Sequence, residues 1–427
     1  MGVPSRLWVG VRGMVARRSG PRSGHATRHE SIDNYSCQES ASRVRLVTIT
    51  ALCWGTGRIR RPPTSISDGP RIRISTRSPR PDGQNLDEPL KRIQTARLLP
   101  NHAPERPGPI LPAMRIAASI GTEAIGLPVP PQALVEHALA AEEDGFPSAW
   151  CVHFSRGVDA LTILGAAATQ TQKIELGVGV VPTYPRHPVA LAQQVSTVQA
   201  LAGGRLTLGV GVSHRPVIEG MHGIPYAKPA QHMREYLSVL GPMLREGKVA
   251  FDGEFFHVDA QLFVPGTQPV SIVVGGLSAG MVQAAGELAD GVVTWLAGRH
   301  TLETHILPQV QRAAASAGRP PPRVVASVPV AVWDDREQAK RTADHVFSRY
   351  TGLTNYQRQF EREGVATPGE IAIVGDEPSV TQQLRAYAAI GVTELWPATF
   401  PVGSDPQASL RRTRELLRSL APDLDAA

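Results

Sequence analysis

Cysteine is nearly missing from this chain: three occur in 427 residues, Cys37, Cys53 and Cys151. So few thiols exclude a disulfide framework and a metal site built on cysteine, and they suit a reducing, cytoplasmic setting. Long hydrophobic runs are missing too. The one apolar run of the first 113 residues, 44–54, is too short to cross a bilayer, which takes about 20 apolar residues. No secretory signal pattern precedes Met114. A cytoplasmic protein with no membrane partner is expected.

Acidic residues and lysine are scarce in the same stretch. Residues 1–113 carry 19 Lys+Arg against 8 Asp+Glu, and 18 of the 19 are arginine. The remainder carries 25 against 30, so the overall charge of +6 belongs to the N-terminal segment alone. That segment is rich in Pro, Ser and Gly, as in Arg60-Arg-Pro-Pro-Thr-Ser and Ser78-Pro-Arg-Pro. It cannot bury enough apolar surface to offset its ordering entropy, and we read it as a disordered Arg/Pro/Ser-rich extension. GC-rich DNA encodes such a composition in an arbitrary frame, and Met114-Arg-Ile-Ala-Ala-Ser is a natural first strand, so the expectation is that translation starts at Met114 and the upstream part is a mis-called or non-selected extension. The expected boundaries are therefore an extension at 1–113, one domain at 114–422 and a tail at 423–427. A basic tail for nucleic acid or membrane, a targeting peptide and a linker are the alternatives for 1–113. The expectation is no nucleic-acid partner.

From Met114 onward, β-rich runs alternate with helical periods. The runs fall at 115–119, 149–152, 175–180, 206–211, 271–274, 291–294, 324–332 and 393–396. Helical patterns fall at 132–143, 160–169, 189–202, 229–245, 281–288, 302–317, 336–350 and 408–419. Pro131 and Pro188 suit first helical turns, and Asp159 suits an N-cap. Eight strands and eight helices predict a (β/α)8 TIM barrel with insertions, with a doubly wound open sheet as the alternative. One insertion lies between 211 and 271, where alternation around Asp252-Gly253 signals a hairpin. A second lies at about 351–376.

Two near-copies stand out: Ile174-Glu-Leu-Gly-Val-Gly-Val-Val and Leu206-Thr-Leu-Gly-Val-Gly-Val-Ser, 32 residues apart. A strand–helix–strand repeat of that length is a βαβ unit, and glycines at its strand ends allow close backbone approach. In Gly209-Val-Gly-Val-Ser-His, free N–H groups with the Ser213 hydroxyl suit phosphate or ring oxygens. Gly275-Gly-Leu-Ser precedes a helix and suits an anion cradle. His153, after the second strand, is the best acid/base candidate, since an unperturbed histidine titrates near pH 6.5. Cys151 reads as a buried hydrophobe. His222, His232, His257 and His300 show no metal spacing, and no metal is expected.

The set formed by Gly145-Phe-Pro-Ser-Ala-Trp-Cys-Val-His-Phe, the two Leu-Gly-Val-Gly segments, Gly204 through Gly223, His232-Met-Arg-Glu-Tyr-Leu and Gly275-Gly-Leu-Ser with Ala289-Asp-Gly-Val-Val resembles the luciferase-like flavin and deazaflavin enzymes. It is most similar to the oxidoreductases of that group that use coenzyme F-420. The resemblance covers 114–422 and none of 1–113.

The resemblance implies a tricyclic ring in the barrel mouth and a non-prolyl cis peptide after the third strand, here Gly179–Val180, pressed against it. It implies cofactor contacts at Gly179, Val180, Gly209, Gly211, Ser213, Gly275, Gly276, Leu277 and Ser278. His153 would exchange the proton that accompanies hydride transfer. The family's common acidic residue before it is replaced by Val152. His214 stands where some relatives carry a carboxylate, and would serve the same end. Arg186 and Arg215 would meet the cofactor's phosphate and acidic tail. The implied activity is F-420-dependent hydride transfer to or from a small organic substrate, in a homodimer. An FMN-dependent monooxygenase of the same fold and a non-catalytic cofactor-binding barrel are the alternatives.

Overall fold

The computed structural model describes residues 113–121 and 129–425. The extension expected at 1–113 lies outside the described residues, apart from Ala113.

The first stave of the barrel is split by Ala117 into β1 (Arg115–Ile116) and β2 (Ala118–Ile120). Then follow α1 (Pro131–Glu143), β3 (Ser148–Val152), α2 (Ala160–Ala168), β4 (Glu175–Pro182), α3 (Pro188–Leu201) and β5 (Leu206–Gly211). The first insertion holds α4 (Arg215–Gly220), the long α5 (Pro229–Glu246) and the antiparallel hairpin β6 (Lys248–Asp252) and β7 (His257–Gln261). The repeat resumes with β8 (Ser271–Gly275), α6 (Ala279–Leu288) and β9 (Gly291–Trp295). A short α7 (Arg299–Thr301), a π-helical turn (Leu302–Ile306) and α8 (Leu307–Ser316) lead to β10 (Arg323–Val332). Last come α9 (Arg336–Val346), a 3-10 turn (Ser348–Tyr350), α10 (Thr354–Glu363), α11 (Pro368–Ile371), β11 (Ile373–Gly375), α12 (Glu377–Ala389), β12 (Glu394–Thr399) and α13 (Pro406–Asp425).

The large sheet runs β1-β12-β10-β9-β8-β5-β4-β3-β2, with every neighbouring pair parallel. Its two ends are the halves of one stave, so the sheet all but closes on itself as a TIM barrel. Eight staves fall where the eight β-rich runs are. β11 lies off this path on β10.

Several local expectations need correction. A helix missed in the sequence, α12, leads from β11 to the last stave. The second insertion falls where expected, at about 351–376, and is built of α10, α11 and β11. The pattern at 302–317 begins as a π-helical turn, because Pro308 has no N–H for the regular ladder. The pattern at 336–350 stops at Val346. The hairpin turn is longer than Asp252-Gly253: Asp252 and His257 are the last pair. The buried Glu235 carboxylate takes the N–H groups of Glu254 and Phe255 (3.2 and 2.7 Å), which holds the turn open. α13 runs past 422 to Asp425, into the expected tail.

The barrel interior is layered. At the N-terminal end of the staves, Glu175 binds Arg115 (2.7 Å), Arg323 (2.6 Å) and the Thr207 hydroxyl (2.6 Å). Fully buried Glu394 binds Arg323, Ser148 and the Trp150 indole N–H. Above this polar layer Trp150 and Trp396 stack at 5.4 Å among Ala117, Val273, Val293 and Val325. Charge at the closed end and apolar filling above it leave the C-terminal strand ends as the open face. No described helix is long and apolar enough to cross a membrane.

Candidate active site

The strands end in unlike ways, and the ends build one mouth. β4 carries a cis peptide at Gly179–Val180, and its pairing with β5 shifts register between Val178 and Val181. The cis bond is where the sequence resemblance places it.

Glycines surround this bulge for steric reasons. A Cβ on Gly177 would lie 2.4 Å from the Trp150 ring, and one on Gly179 would lie 2.4 Å from Trp396. A Cβ on Gly211 would meet the Val180 side chain at 2.6 Å. One on Gly209 would meet the Val178 carbonyl at 2.2 Å, and one on Gly275 would meet Val180 at 3.2 Å. The glycines at 209, 211 and 275 therefore admit Val180 into the barrel. Their sequence-expected role, contact with a cofactor, is a separate matter from this packing one.

Beyond the bulge, Thr183 donates its N–H to Gly211 (2.9 Å), and its hydroxyl meets Nε2 of buried His232 (3.1 Å). Tyr184 stacks on the same imidazole at 3.9 Å. Burial holds His232 neutral, its pKa pulled down to about 4 against a weaker opposing pull from Glu235. Neither Thr183 nor Tyr184 was singled out in the sequence. The signal was their place directly after the bulged strand.

His153 follows β3 and donates its N–H to the Gly179 carbonyl (3.4 Å). Its Nδ1 accepts the Ala160 N–H at the start of α2 (3.4 Å). Asp159 caps that helix, taking the Thr162 N–H at 2.8 Å, and pairs with Arg186. Burial, then Arg186, hold His153 below the usual histidine value, opposed by Asp159. Arg186 is thus engaged by Asp159 and by Gln194 (3.3 Å), not open for a phosphate. Arg215 pairs with Glu219 (2.6 Å) and lies over Tyr226.

His214 stands before α4, its ring 5.8 Å from that of Tyr356. Burial and the Arg349 guanidinium hold it below the ordinary histidine range. Sequence reading missed Arg349. From the 3-10 turn after α9 it reaches the Phe154 ring, next to His153, at 5.2 Å. It has no acidic partner among the described residues. Ser213 holds a left-handed φ of 58°, and its carbonyl accepts the Tyr226 hydroxyl at 3.4 Å.

At β8, Gly275 and Gly276 lead to Ser278, which precedes α6 without capping it by its side chain. The Met281 and Val282 N–H groups turn back to the Ser278 carbonyl, while the Ala279 and Gly280 N–H groups of this first turn find no partner among the described residues. The Leu277 carbonyl is held by buried Gln359 of α10 (3.4 Å). Cys151 is buried, its thiol pushed up to about 12 by desolvation and then Asp159, so it is no nucleophile. Among the described residues no three His, Cys, Asp or Glu side chains converge as metal ligands.

The mouth thus gathers a bulged strand, two histidines whose pKa is lowered by burial, an arginine with no acidic partner among the described residues and an uncapped helix start. Residues 111–394 match the family described as luciferase-like monooxygenase. The 5,10-methylenetetrahydromethanopterin reductase of Archaeoglobus fulgidus is 32% identical over 286 residues, covering 65% of this chain and 84% of that protein. The F-420-dependent glucose-6-phosphate dehydrogenase of Kineococcus radiotolerans is 28% identical over 271 residues, covering 60% of this chain and 79% of that one. Among solved structures, the oxygenating constituent of the 3,6-diketocamphane monooxygenase of Pseudomonas putida, in complex with FMN, superposes with a TM-score of 0.59. That superposition is at 20% identity and covers 74% of this chain and 98% of that one.

Proposed function

Because the chain belongs to the luciferase-like monooxygenase family, we propose that it is an oxidoreductase that binds coenzyme F-420 at its strand ends and serves hydride transfer with a small organic substrate. The observation that carries this reading is the uncapped start of α6 beside Gly275–Gly276, on the same rim as His153 and His214. N–H groups left without partners at a helix start favour an anionic group such as the cofactor's phosphate. The residues present therefore fit a phosphate-bearing deazaflavin. When bound, that cofactor supplies two-electron hydride chemistry at its C5.

The chain's own residues orient and shield it. Val180 presents a small apolar surface at the bulge. Ser278 and the α6 amides hold negative charge. Phe154 and Arg349 flank the mouth, and His153 and His214 supply polar contacts where a proton must be exchanged. The sequence relative named for F-420 supports the deazaflavin, while the FMN-bound neighbour keeps a flavin monooxygenase as the second reading.

Titration of the full chain with F-420 and with FMN, followed by absorbance and fluorescence, separates the two. Saturable F-420 binding without oxygen consumption is expected. Tight FMN binding with indifference to F-420 would overturn the proposal. Tight F-420 binding with no turnover over a broad substrate panel would point instead to a cofactor-binding barrel.

A further inference from the structure

We infer that His153 is fixed as its neutral Nε2–H tautomer and acts as a hydrogen-bond donor to an acceptor atom of the bound molecule. What that donor touches rests on the proposed function; the tautomer does not.

The ring is oriented through Nδ1. Its partner, the Ala160 N–H, can only donate, so Nδ1 must present its lone pair. A neutral imidazole then carries its single proton on Nε2. That atom has no hydrogen bond within the described residues. The backbone is held as well, through the His153 N–H to Gly179.

The surroundings oppose a second proton. A proton on Nδ1 would face the amide at the start of α2, the positive end of the helix dipole. It would also remove one of the acceptors that satisfy that helix start. Two charged groups face the ring: Arg186, from the loop before α3, and Asp159, at the α2 cap. Asp159 favours the cation, but its carboxylate is already engaged by Arg186, the Thr162 N–H and the Thr162 hydroxyl. The lowered pKa of His153 agrees with this balance. A histidine arranged this way is a poor base near neutrality and a well-aimed donor. His214 differs: neither of its ring nitrogens is hydrogen-bonded among the described residues, so no partner fixes its tautomer.

The test is long-range proton–nitrogen correlation NMR on the full chain, labelled with 15N-histidine and free of cofactor, from pH 5 to 8. The His153→Gln variant identifies the signal by its loss. The expected result is one Nε2–H pattern at and above the ordinary histidine midpoint of about 6.5, with imidazolium appearing only below it. An Nδ1–H pattern, or ordinary titration near pH 6.5, would overturn the inference. Arg186→Gln gives a second reading should His153→Gln fail to fold: the same signal should stay Nε2–H while its midpoint rises toward the ordinary value. An unmoved midpoint would remove Arg186 from the explanation and count against the inference. Absence of F-420 binding would sink the functional proposal and leave the tautomer standing; an Nδ1–H signal would do the reverse.

Discussion

Val180 and Gly211 belong to different strands, yet each explains the other. The valine side chain enters the barrel after the bulge, and Gly211 leaves the space it occupies. Gly211→Ala should destabilise the chain by about 1–3 kcal/mol through overpacking. Adding Val180→Ala should recover part of that loss, giving a coupling of about 1 kcal/mol in a double-mutant cycle read by urea unfolding. Additive costs would show that the contact is not what constrains residue 211. The glycines were visible in the sequence as punctuation at strand ends. That they receive a valine and two tryptophans was not, because their partners lie on other strands.

Among the elements, α12 shows what a close reading of sequence leaves behind. Its signals are ordinary: Asp376 accepts the Ser379 N–H (3.1 Å), Pro378 sits in the first turn, and Val380, Leu384 and Tyr387 recur on one buried face. The helical pattern at 336–350 already supplies one crossover between the seventh and eighth β-rich runs, so the repeat by itself does not require another. Asp376→Ala removes the cap and should lower stability. Thermal unfolding monitored by circular dichroism should register a lower midpoint with the native spectrum intact at low temperature. An unchanged midpoint would mean that packing alone fixes this helix. The π-helical turn before α8 had a visible cause in Pro308, but whether a proline kinks, caps or re-registers a helix depends on what packs around it.

Across the whole molecule, the two ends of the barrel have separate tasks. The closed end is held by Arg115, Glu175, Arg323 and Glu394, drawn from staves far apart in the chain. Glu394→Gln leaves Arg323 with only the half-buried Glu175 as a charged partner, and breaking a buried pair costs about 3 kcal/mol. Guanidinium unfolding should show that loss, while F-420 affinity in the folded protein should be unchanged. A large fall in affinity with stability intact would show that the two ends are coupled.

The order of β-rich and helical segments, their roughly 30-residue spacing and the glycine-ended strands were settled by the sequence alone, because hydrophobic periodicity and turn residues act over short range. They also placed His153, Gly179, Val180 and Gly275 at strand ends. Only the tertiary structure decided which atoms meet. It turned Arg186 from a free cation into the partner of Asp159, brought Arg349 beside Phe154, and set His153 Nδ1 against the start of α2. Each of these depends on closure of the barrel, which joins residues that no local pattern links.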